Sequence, residues 1–147
     1  MAAFAAPLLI QSVGALMAIT VWIAVAGAEE SAEPVPSRLV LSNVAWVQAA
    51  TKVCKEADPA FSGHLIAAYE AWLQQSPRLK ILIAWLEAAP KSAAQADAQK
   101  DYARFYAAAF RIFDDKRRTD PEDLANQCDT TTKELAEGVY DLSPTAP

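Results

Sequence analysis

The stretch Asp101-Tyr-Ala-Arg-Phe-Tyr-Ala-Ala-Ala-Phe-Arg-Ile-Phe113, DYARFYAAAFRIF, decides the fold class. Tyr102, Phe105, Tyr106, Ala109, Phe110 and Phe113 recur at steps of three and four, which gathers them on one face of an α-helix. Lys100, Arg104, Arg111 and Arg118 fall on the opposite face. The pattern predicts a long amphipathic helix over about 92–116. Asp101, Asp114 and Asp115 lie among the basic residues, so a solvated mixed-charge face is the plain reading of that stripe, and a grip on an anionic partner is the sharper one.

Outward from this segment, Asp58-Pro59, Ser76-Pro77 and Asp120-Pro121 each set a capping residue before a proline, the order expected at helix starts. Helix one spans about 37–55, with Leu39, Val40, Trp46, Val47, Ala50, Val53 and Cys54 on one face and Asn43 within it. Helix two, about 59–75, aligns Phe61, Leu65, Ala68, Tyr69 and Trp72. Helix five, about 121–140, lines up Leu124, Cys128, Thr131, Leu135 and Val139. Strand alternation is absent from the sequence, and with only 4 glycines the expected fold is all-α: one small bundle of four to five helices over residues 37–142.

Helix three, about 77–89, is broader in its apolar arc. Leu79, Ile81, Leu82, Ile83, Trp85 and Leu86 cover roughly 200° of the wheel, against the ~100° of an ordinary surface helix. A helix of that kind is either central, packed on two sides, or carries an apolar face for a partner. On the second reading Leu79, Ile81, Leu82, Trp85 and Leu86 form an interaction face.

Residues 1–28 contain no charged side chain, and the first charge is Glu29. Ala26-Gly27-Ala28 supplies the small residues of a signal-peptide cut, followed at once by Glu29-Glu30-Ser31. The basic n-region of an ordinary signal is missing, and residues 7–28 approach the ~20 residues of a membrane-spanning helix. A cleaved signal is therefore the first reading and an uncleaved anchor the second. Both set the domain outside the cytoplasm, periplasmic or secreted, behind an acidic proline-containing linker at 29–36 and ahead of a disordered tail at 143–147.

Two cysteines, Cys54 and Cys128, are too far apart in sequence for a redox or zinc motif. In an oxidising compartment they are most simply a disulfide, and each sits on the apolar stripe of its helix; two separate buried thiols are the alternative.

Function is less legible. A net charge of −5, carried wholly after residue 28, disfavours nucleic acid as a partner. His64, the single histidine, has Ala67 and Ala68 where a second metal ligand would stand, so neither a metal nor a cofactor is expected. No motif frames a nucleophile, and Asp114-Asp115 and Glu122-Asp123 are adjacent pairs that diverge on a helix. The expected role is non-enzymatic binding: a protein-interaction module of the envelope chaperone, inhibitor or immunity type, engaging a partner protein or a second copy of itself. The alternative is a carrier whose small apolar or aromatic ligand lies in a cavity lined by Tyr69, Trp72, Tyr102, Tyr106 and Phe110.

Overall fold

The computed structural model describes residues 35–57 and 59–142, with the side chains of 59–62 outside the description. The signal or anchor segment at 1–28, most of the acidic linker and the tail at 143–147 lie outside the described residues. What is described is all-α, with five helices and no strand: α1 (Arg38–Ala57), α2 (Pro59–Gln75), α3 (Pro77–Glu87), α4 (Ala93–Thr119) and α5 (Pro121–Ala136). Among the described residues no helix is long and apolar enough to cross a membrane.

Local chemistry accounts for most of the boundaries. Ser92 caps α4 by accepting from the Gln95 amide at 3.1 Å, and Asp120 caps α5 by accepting from the Asp123 amide at 3.0 Å ahead of Pro121. Ser76 precedes Pro77 but makes no side-chain cap. Helix five ends four residues before the expected 140. Gly138 adopts φ +75°, while the amides of Gly138 and Val139 bond back to the carbonyls of Leu135 and Glu134. This is the Schellman closure, which needs a left-handed residue that glycine adopts without steric cost. Val139, expected on the apolar stripe, therefore leaves the helix and is 56% exposed.

The central helix is α1, where the sequence pattern had favoured α3. Val44, Ala45, Val47, Ala49, Ala50, Val53 and Cys54 are all buried, and at 100° per residue they fall on most sides of the helix. Three helices, α2, α4 and α5, surround it. Its alanines carry little hydropathy but let neighbouring backbones approach closely. Leu39, expected in the stripe, is 71% exposed at the helix start, whereas Leu41 is buried; Asn43 is half-buried. Pairings of Arg38 with Asp101, Lys52 with Phe110 and Glu56 with Arg117 advance together, so α1 and α4 run parallel. Trp72, Phe113, Leu65, Leu79, Leu124 and Leu135 complete the core around α1.

The disulfide between Cys54 and Cys128 is formed, with Cα atoms 6.0 Å apart. It joins the last turns of α1 to the middle of α5 and lies in the main core. No free cysteine remains.

Helix α3 is peripheral. Its Leu86 meets Leu41 of α1 and Ala98 of α4, flanked by Leu82, Trp85, Tyr102 and Phe105. Its C-terminal carbonyls are satisfied by α4. Gln95, nearly fully buried, donates to the Trp85 carbonyl at 2.8 Å and accepts from the Lys91 amide at 2.8 Å, and Gln99 donates to the Ala88 carbonyl at 2.7 Å. Changing Gln95 to Leu removes two part-buried hydrogen bonds and leaves the Trp85 carbonyl only the longer one from Gln99, at 3.4 Å. It is expected to lower stability by about 1–3 kcal/mol in urea unfolding, with α3 the first element to lose hydrogen-exchange protection.

Candidate functional site

Although α1 is buried on most sides, Gln48, Thr51, Lys52, Lys55 and Glu56 follow one another at helical spacing and break the apolar surface. They form one side of an open cleft of about 640 Å³. Tyr69 of α2 lines it, Tyr102 and Tyr106 project one turn apart from α4, and Glu87 closes the α3 end. The aromatic residues of α4 continue as a ladder, with Tyr102 to Tyr106 and Tyr106 to Phe110 each 6.2 Å between ring centroids.

The polar groups of the cleft differ in how far they are engaged. The Tyr102 hydroxyl donates to the Gln48 side-chain carbonyl, which joins α4 to α1. Thr51 turns its hydroxyl back to the Val47 carbonyl at 2.8 Å. Glu56 is held by Arg117 at 3.1 Å. Lys52 lies over the Phe110 ring at 5.4 Å. No carboxylate among the described residues lies within ion-pair distance of Lys52 or Lys55, whereas Arg38, Lys100, Arg104, Lys116, Arg117, Arg118 and Lys133 all have one.

Burial pushes the Tyr102 hydroxyl up to about 12, assisted by Tyr106, Glu87 and Tyr69. Tyr140 is raised too, by burial and by its hydrogen bond to Glu134. Both shifts favour the protonated phenol in the folded state. Their contribution to stability is intact below the ordinary tyrosine value of 10.0 and is lost as pH climbs through the raised values. An ultraviolet titration of tyrosinate is expected to resolve two late-titrating phenols, Tyr102 and Tyr140, with stability falling above pH 10. The change Tyr102→Phe should remove one of the two.

Of the five residues expected to line a ligand cavity, Tyr69, Tyr102 and Tyr106 do face this cleft. Trp72 does not. It is buried in the core with its indole N–H donating to the Tyr140 carbonyl at 3.3 Å. Phe110 is half-buried, between Tyr106 and Lys52. The α1 residues were missed, although a polar stripe at helical spacing in a helix otherwise rich in Val and Ala was a readable signal.

The face expected on α3 is divided. Leu79 and Leu86 are buried, Leu82 and Trp85 are half-buried, and Ile81 alone is well exposed, at 69%. The basic stripe on α4 is mostly a paired surface: Lys100 meets Asp97 at 3.1 Å, Arg104 meets Asp101 at 2.7 Å, and Arg118 meets Asp114 at 2.6 Å. His64 is exposed on α2, and no three potential metal ligands converge among the described residues. A second hollow of about 500 Å³ lies beside the disulfide, lined by Ala57, Pro121, Leu124 and Ala125 together with the paired Glu56 and Arg117. The chain matches no protein-family model, no curated protein and no solved structure.

Proposed function

We propose that the chain is an exported, non-enzymatic binding module, of the envelope chaperone, inhibitor or immunity type, that holds a protein partner in the cleft between α1, α2 and α4. The observation that carries this reading is the convergence of Tyr69, Tyr102 and Tyr106 on one open cleft beside Lys52 and Lys55, which have no carboxylate partner among the described residues. Tyrosine is enriched at protein interfaces because its ring supplies contact area and its hydroxyl a hydrogen bond, at low side-chain entropy. An open cleft suits a segment of a larger partner better than a sequestered small molecule. A carrier draws support from the same three tyrosines, but Trp72 is committed to the core. Binding in preference to chemistry is supported by the lining itself, in which Thr51 and Glu56 are already engaged within the chain and no histidine takes part. Export is supported by the disulfide, since such bonds persist in oxidising compartments.

A photo-crosslinking side chain placed at position 106 of the full chain, in its own cells, is expected to capture one discrete protein. The same group at position 133, on the exposed side of α5, should capture none. Identical labelling from both positions, or none from 106, would refute the reading.

A further inference from the structure

We infer that the segment this cleft receives is acidic and aromatic: an extended stretch of the partner whose ring lies among Tyr69, Tyr102 and Tyr106 and whose carboxylate reaches Lys52 and Lys55. This rests on the cleft being the partner-binding surface and specifies the chemistry it selects. Lys52 and Lys55 stand three residues apart on one face of α1 and line the cleft together. Most other cations of the chain already have a carboxylate, and Glu56, which shares the cleft lining with the two lysines, is engaged by Arg117 at 3.1 Å. Lys52 lies over Phe110 at 5.4 Å, which sets its charge beside the aromatic ladder.

The cleft is also directional. Glu87 of α3 lines it with Tyr102, whose hydroxyl is bound to Gln48, and Lys55 lies two helical turns beyond Gln48, about 10 Å along α1. A carboxylate is therefore repelled at the Tyr102 end and attracted at the Lys55 end. The chain as a whole carries a net charge of −5, so an acidic peptide has no general attraction to it and must find this local one.

The test is a calorimetric titration of the full, disulfide-bonded chain with a capped peptide of alternating glutamate and tyrosine, against one of alternating lysine and tyrosine. The acidic peptide is expected to bind at least about tenfold more tightly, with the difference shrinking as salt is raised. The double change Lys52→Glu, Lys55→Glu should abolish the preference, and Tyr106→Ala should weaken binding about tenfold. Lys133→Glu should leave it unchanged, and far-UV circular dichroism checks that each variant is folded. Equal affinity for the two peptides, binding unaffected in the folded double variant, or saturable binding of 4-hydroxybenzoate without binding of the peptide would overturn the inference. If the adduct from position 106 forms and survives the double charge reversal, the cleft is a partner surface but this chemistry is wrong. If the acidic peptide binds and no adduct forms in cells, the chemistry stands and the partner reading falls.

Discussion

Replacing both Cys54 and Cys128 by alanine is expected to lower the free energy of unfolding by about 4 kcal/mol, from the entropy restored to an unfolded chain no longer closed over 74 residues. Loss of two buried sulfur atoms from the core adds to this. Small domains are held by about 5–15 kcal/mol, so such a loss is a large fraction of the whole. The bridge joins the central helix to α5, which otherwise meets α1, α2 and α4 through the buried Leu124 and Leu135. Urea unfolding of the oxidised chain, the reduced chain and the double alanine variant measures the effect. The two forms without the bridge should share a lowered midpoint, with α5 exchanging its amides first. An unchanged midpoint would mean that apolar packing alone fixes α5.

The change Phe113→Ala is expected to cost about 3–5 kcal/mol, the range for deleting a large buried aromatic side chain. Phe113 is fully buried where α4 meets α1, and its ring centroid lies 4.8 Å from that of Trp46. Truncation opens a cavity against the central helix, which has neighbours on several sides and little freedom to collapse into it. Its neighbour Ile112 is 45% exposed, and Ile112→Ala should stay within about 0.5 kcal/mol of the parent. The two variants together test whether the apolar face of α4, read from spacing alone, is oriented as described. Near-equal costs would place α4 in a different rotation.

Helix positions were legible because prolines after Ser76 and Asp120, and the three- and four-residue steps of aromatic side chains, act locally and leave little choice. The pairing of Cys54 with Cys128 was legible for a similar reason, since both lay on apolar stripes. Which helix is central was not. Leu79, Ile81, Leu82 and Trp85 gave α3 the widest apolar arc, yet Ile81 faces solvent, while α1 conceals its centrality in Ala45, Ala49 and Ala50. Periodicity weighs side-chain hydropathy, whereas centrality depends on how closely backbones approach, and small residues favour that approach. The end of α5 was missed because the sequence offered a continuing stripe to Val139, and Gly138 was passed over as a stop. Of the cleft, the sequence held both the tyrosines and the polar stripe of α1, but not their meeting, because that juxtaposition arises only from the parallel packing of α1 on α4.

The most direct measurement is native mass spectrometry of the protein purified from its own cells, run beside the Tyr106→Ala variant. The parent chain should appear bound to a polypeptide, and the variant should appear bare while still folded and disulfide-bonded. A parent chain found bare, or carrying only a small molecule that survives the Tyr106→Ala change, would contradict a protein-binding role for the cleft.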